Sequence, residues 1–171
     1  MFKGSIFVLG DRQFWRPINL QAEELKQRFK CGERDFSQVN LQQANLQKAK
    51  LADINLSKTN LTRANLRKAN LKRAFLNQAI CNRADLQEAN LHQASLIDAE
   101  LFNTNLSKAI LNHANLNGAD LRNALLDRAH LVWANLRGAN LRNARLDNAD
   151  FTGAKFCRTI MPDGSIKNDD C

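Results

Sequence analysis

The stretch Ala64-Asn65-Leu66-Arg67-Lys68-Ala69-Asn70-Leu71-Lys72-Arg73-Ala74 places a leucine at every fifth residue and a small residue two places before each leucine. Followed outward, the register runs unbroken from Phe36 to Phe156 through 25 apolar positions: 21 Leu, three Phe and Cys81. A period of five suits no ordinary secondary structure. On an α-helix, five residues advance about 500°, so successive leucines step roughly 140° around the axis. On a strand, an odd step sends alternate leucines to opposite faces. All 25 reach one core only if the chain turns a corner every five residues and coils around its own leucines.

The other positions of the unit agree with such a solenoid. The small position is Ala in 20 of 25 units, the exceptions being Arg34, Val39, Ile54, Thr59 and Thr104. A leucine that fills a narrow lumen leaves room beside it only for a small second side chain. Asn or Asp commonly precedes the leucine, as befits residues that bond to nearby backbone at tight turns.

Residues 34–158 carry the repeat, and the flanks differ from it. Residues 1–17 hold a short apolar run, Ile6-Phe7-Val8-Leu9, and aromatic Phe14-Trp15; they suit a strand or an extended segment. A helix is expected over about 19–31, with Asn19 as N-cap, Glu23 and Glu24 early, Lys26, Arg28 and Lys30 late, and Gly32 as its stop. Ala22, Leu25 and Phe29 share one face, which is expected to cover the first coil. A solenoid needs such a cap because a naked end exposes core and unpaired backbone. Residues 159–171 read as turn residues and a polar tail, leaving the coil near Phe151 and Phe156 open to end-to-end dimerisation unless the tail folds back.

The run of Ala-Asn-Leu-x-x units resembles the pentapeptide repeat family over about three quarters of the chain. The flanks, Ala22-Glu23-Glu24-Leu25 through Gly32-Glu33-Arg34-Asp35-Phe36 and Cys157-Arg158-Thr159-Ile160-Met161-Pro162-Asp163-Gly164, resemble cyanobacterial members in particular. The resemblance implies an all-β fold, a right-handed quadrilateral β-helix with four units per coil. Twenty-five units then give about six coils, a rod of roughly 30 Å at about 4.8 Å per layer.

Charge narrows the partners. The 25 Lys and Arg outnumber the 17 Asp and Glu, and the excess of +8 lies on residues 34–158 and not in a basic tail. Tail-driven nucleic-acid binding is thereby disfavoured. So is the DNA mimicry by which some members of the resembled family bind gyrase, since imitating a phosphate backbone demands a strongly negative rod. The four cysteines, Cys31, Cys81, Cys157 and Cys171, form no CxxC pair, and with no signal peptide a reduced, cytoplasmic chain is expected. Nothing approaches the ~20 apolar residues of a membrane span.

With four units per coil, residues 20 apart stack on one face. One face then carries Arg63, Arg83, Arg122 and Arg142, and its neighbour Arg67 and Lys68, with acids interspersed. These are the candidate contacts for an anionic surface, nucleic acid or acidic lipid. Another face gathers Ile110, His113, His130, Val132 and Trp133, with His92 one coil below, a candidate protein-binding surface. Phe75 with Ile80, and Ile97 with Phe102, make smaller apolar groups. No Cys or carboxylate stands in ligand spacing with the histidines, so no metal or cofactor is expected. Gly-rich phosphate loops, GxSxG, HExxH and Tyr are all absent, and the expected function is non-catalytic binding or scaffolding.

Overall fold

The computed structural model describes residues 19–171; the expectation for residues 1–17 lies outside them. From Asp35↔Asn55 to Asn140↔Ile160, the parallel backbone bridges join residues 20 apart, so four five-residue units complete each coil. Two hydrogen bonds repeat along the ladder: Leu66 N–H donates to the Asp85 carbonyl (2.7 Å), and Asp85 N–H to the Ala64 carbonyl (2.9 Å). The leucines form one continuous core. Leu46, Leu66, Leu86, Leu106 and Leu126 stack at 0–1% exposure, with the alanines buried beside them.

From Leu41 to Phe151, each corner is a four-residue turn closed by the small residue onto the inward apolar residue, as in Ala69 N–H to the Leu66 carbonyl (2.9 Å). Its third residue sits at positive φ, near +57°, and in most coils is Lys, Arg or Gln where Gly or Asn would be cheapest. The residue before leucine secures the same corner from the side. Asn65 Oδ1 accepts the Arg67 N–H at 3.1 Å, and Asn60, Asn70 and Asn90 repeat the contact. At some corners where that residue is not Asn or Asp, a side chain from the coil before stands in: Asn77 Oδ1 accepts the Ile97 N–H, and Asn112 Oδ1 the Val132 N–H, both at 3.1 Å.

The exceptions at the small position have particular fates. Thr59 and Thr104, together with Thr159 just beyond the last unit, are fully buried, and each hydroxyl donates to a core-lining carbonyl, Phe36, Cys81 and Leu136 respectively, at 2.7–2.8 Å. Thr104→Val is therefore expected to cost about 0.5–1.5 kcal/mol in denaturant melts, although Val matches Thr in shape, because one of the two bonds to the Cys81 carbonyl is lost while the Ala84 N–H bond remains. Arg34 stays outside the lumen, its guanidinium 4.0 Å from the Phe29 ring and bonded to the Phe29 carbonyl. Cys81 lies at 0% exposure, and burial pushes its thiol up to about 12. In the folded chain at pH 8, an alkylating reagent should label exposed Cys31 and spare Cys81; mass spectrometry of the labelled peptides checks this.

Helix α1 spans Ala22–Lys30, shorter than expected at both ends. Asn19 does not cap it. Asn19 instead pairs with Asn40 in the ladder, and extended Gln21 takes the N-cap position. Gly32, at φ +99°, ends the helix as expected: its N–H reaches the Phe29 carbonyl and Glu33 N–H the Arg28 carbonyl. Leu25 is fully buried, and Phe29 packs against the same core.

The last residues depart from a free polar tail with free thiols. Thr159–Ile160 (β1) and Ile166–Lys167 (β2) pair antiparallel, and Cys157 is disulfide-bonded to Cys171. The returning chain copies the next coil on one face. The Asp170 carboxylate accepts the Phe156 N–H at 2.8 Å, and Asn168 Oδ1 accepts the Arg158 N–H at 2.7 Å. On the following face, Leu141 and Asn143 donate to the carbonyls of Ile160 and Pro162. No helix among the described residues is long and apolar enough to cross a membrane.

Candidate protein-docking face

The coil geometry brings Ile110, His113, His130, Val132 and Trp133 onto one side of the rod. Ile110 and His130 are ladder partners in the middle of the face, and His113 N–H bonds to the Val132 carbonyl at 2.9 Å. Trp133 occupies the third turn position of its corner at φ +58°, a backbone state that bulky residues rarely hold. The ladder holds it there: Trp133 N–H donates to the Thr152 carbonyl at 2.9 Å.

Gly153, one coil further on, explains how the indole fits. A methyl group at Gly153 would lie 2.6 Å from the indole Cδ2 and Cε3, so the ring lies flat over the glycine backbone. One face of the ring is thus spent on packing, and the residue remains 57% exposed. Such a fixed, half-covered aromatic loses little freedom when a partner covers the rest. Gly153→Ala should displace the indole and, at φ +67°, strain the backbone, costing about 1 kcal/mol. Tryptophan fluorescence in a Trp15→Phe background reads the displacement.

A polar rim surrounds the apolar centre. The Asp150 carboxylate accepts the hydroxyl and N–H of Thr152 at 2.6 and 3.0 Å, which holds it below the usual carboxylate range, with His130 helping. His92 and His113 meet edge to face, with ring centres 5.6 Å apart. Partial burial lowers the His92 pKa, and the positive charges of Lys72, His113 and Arg73 add to that. Among the described residues no group of three or more His, Cys, Asp or Glu is placed to hold a metal ion. Phe75, 51% exposed, belongs to the adjoining face, and Phe102 lies beneath the Arg122 guanidinium at 5.7 Å.

The basic candidates are less concentrated than their sequence columns. Arg67 and Lys68 share Glu88 at 3.7 and 3.3 Å. Asp120 grips Arg122 through two bonds of 2.8 and 2.6 Å, lowering the Asp120 carboxyl and raising the Arg122 guanidinium. Arg142 lies beside Gly164 of the C-terminal turn. Arg63 and Arg83 remain exposed, stacked one coil apart. Exposed ion pairs add little stability, yet each local acid offsets part of the positive field a phosphate would meet. Sequence columns identified the apolar face but missed Gly153 and Asn112, whose roles depend on contacts from a neighbouring coil; glycine 20 residues after Trp133 was the available signal.

Residues 35–161 match the family model described as Pentapeptide repeats, in five overlapping segments beginning at 35–73 and ending at 124–161. Among solved structures, the chain is similar to the pentapeptide repeat protein Rfr23 of the cyanobacterium Cyanothece 51142, at 41% identity and a TM-score of 0.50. That match covers 53% of this chain and 59% of Rfr23, so the chain spans about three fifths of that protein's length. It is also similar to a pentapeptide repeat protein of the Arabidopsis thaliana thylakoid lumen, at 31% identity and TM-score 0.39, covering 60% of this chain and 64% of that one. HetL of Nostoc sp. strain PCC 7120, involved in heterocyst differentiation regulation, matches at 26% identity and TM-score 0.30, covering 87% and 100%. No curated protein sequence matches the chain. Four units per coil and the matched repeats together imply a right-handed quadrilateral β-helix. The chain belongs to the pentapeptide repeat family.

Proposed function

We propose that this chain is a non-catalytic binding scaffold that presents the Ile110–Val132–Trp133 face to a protein partner. The observation that carries the reading is Trp133 itself, more than half exposed yet held against Gly153 by a corner that disfavours bulky residues. Exposed Ile110 and half-buried Val132 supply further apolar area, and His113, His130 and Asp150 a polar rim, the usual anatomy of a contact patch. Helix α1, with Leu25 buried in the core, serves in this reading as the N-terminal cap. The premise of a reduced, cytoplasmic chain no longer rests on four free thiols, since Cys157 and Cys171 are bonded.

Affinity capture from a cyanobacterial lysate, comparing wild type with Trp133→Ala at low and moderate salt, tests the docking face. A protein that stays bound at moderate salt and is lost from the variant is the expected result. Recovery of nucleic acid or acidic lipid alone, released by salt and indifferent to Trp133, would move function to Arg63, Arg83 and their neighbours.

A second reading concerns the C-terminal end. Among the described residues, the N–H groups of Leu146, Asn148, Phe151 and Gly153 have no acceptor, and Leu146 and Phe151 are only partly buried. That open ladder edge supports end-to-end pairing of two copies. Light scattering over a concentration series is expected to show a rise toward dimer mass that Phe151→Lys suppresses; a strict monomer at every concentration would refute it.

A further inference from the structure

The hydrogen bonds that cap the Phe156 and Arg158 amides at the end of the last coil come from Asn168 and Asp170. Asp170 binds Phe156 twice, its carboxylate accepting the Phe156 N–H and its own N–H donating to the Phe156 carbonyl, both at 2.8 Å. Asn168 Oδ1 takes the Arg158 N–H, Lys167 Nζ lies 4.1 Å from the centre of the Phe156 ring, and Arg137 reaches the Asp170 carbonyl at 2.8 Å. These are single polar contacts at the surface, each weak alone. Ile166, next to them, is 65% exposed, so the segment has little apolar burial to hold it down. One covalent tie spans the same ground: Cys157, at the corner just after Phe156, bonded to Cys171.

We propose that the Cys157–Cys171 disulfide is a redox latch on the C-terminal end of the solenoid. When it is closed, residues 167–171 stand in for the next coil on the Phe156 face. When it is opened, residues 168–171 leave while Lys167 stays paired with Thr159 in the hairpin, and the N–H groups of Phe156 and Arg158 join those of Leu146, Asn148, Phe151 and Gly153 at an open edge. The oxidation state thereby sets how many of the four sides end in a covered ladder.

The opening step is thiol–disulfide exchange with a dithiol reductant. Its thiolate attacks Sγ of exposed Cys171, expelling the Cys157 thiolate, and its second thiol then displaces Cys171. Two electrons and two protons pass to the chain, leaving two free thiols, and the reductant is left as its own disulfide. Nothing in this step involves Trp133, so the latch and the docking face stand or fall separately.

Amide hydrogen exchange on the full chain, with and without dithiothreitol, tests the latch, with thiol alkylation recording the state of each cysteine. Reduction should leave the coils between Leu56 and Leu126 unchanged and lower protection of the Phe156 and Arg158 amides on the order of 100-fold, the effect of releasing a closed loop of this size. Cys157→Ser should show the same loss without reductant and no further response to it. Unchanged protection at Phe156 and Arg158 after both thiols become alkylatable would overturn the proposal. So would a response that persists in Cys157→Ser, or a chain purified without reductant under air in which Cys157 and Cys171 are both free thiols.

Discussion

Leu106→Asp is expected to abolish the fold of the central coils, the largest effect of any single change considered for this chain. Leu106 is 0% exposed, its side chain stacked between Leu86 and Leu126, and its N–H is bound to the Leu125 carbonyl at 2.7 Å. Removing the leucine side chain alone costs about 2–5 kcal/mol, because the lumen cannot collapse around the gap. The carboxyl adds a desolvation penalty of several kcal/mol, whether it is buried charged or forced to take up a proton. Together these approach the entire stability of a domain, about 5–15 kcal/mol. Lys108→Asn, two residues on at an exposed corner, is expected to change stability by less than about 0.5 kcal/mol, since Asn tolerates the positive φ that Lys108 already holds. Thermal melts followed by circular dichroism separate the two outcomes.

Leu25→Asp ranks second, and its effect should be local. Leu25 is the fully buried residue of α1, and if α1 caps the rod as proposed, its loss uncovers one end of the core. The expected cost is again about 2–5 kcal/mol for the side chain, with the carboxylate free to turn toward water at the end of the rod. Because each coil touches only its neighbours, stability is close to a nearest-neighbour sum, and a defect at one end frays that end. Hydrogen exchange should show lost protection at the amides of Phe36, Leu41 and Leu46 and native protection beyond Leu86. A uniform loss along the whole rod would mean that the coils unfold as one cooperative block and not as a stacked series.

How much was legible in the sequence differs by position. The leucine and alanine positions could be read directly because they answer to one constraint, the volume of a narrow lumen, and the period of five left a single way to bring all 25 inside. The left-handed corner residue could not. Lys, Arg and Gln carry no turn signature, and the strain they accept is repaid by ladder bonds from the next coil, which no local window contains. Helix α1 was legible in type but not in its start, because Asn19 has the chemistry of an N-cap and is used instead as a ladder partner for Asn40. The closing hairpin and the Cys157–Cys171 bond were hidden for a similar reason: a short polar segment takes its shape from the coil beneath it, and two cysteines 14 residues apart announce no partner.

The candidate face was legible as a column and not as a site. Ile110, His113, His130, Val132 and Trp133 follow from counting in twenties. The packing that holds the Trp133 indole in place required Gly153 to be seen beneath the ring. The basic columns illustrate the converse. Arg67, Lys68 and Arg122 line up in the sequence, while Glu88 and Asp120 sit close enough to claim them.

The most direct test of the account measures the affinity of a captured protein partner for three forms of the chain: wild type, Trp133→Ala, and an Arg63→Ser/Arg83→Ser double variant. All three should melt at similar temperatures, since every altered side chain is exposed. A loss of at least about tenfold for Trp133→Ala, with the arginine variant unchanged, is the predicted result, in keeping with a central aromatic hot spot. Unchanged affinity for Trp133→Ala with a salt-dependent loss in the arginine variant would contradict the account and assign recognition to the basic face.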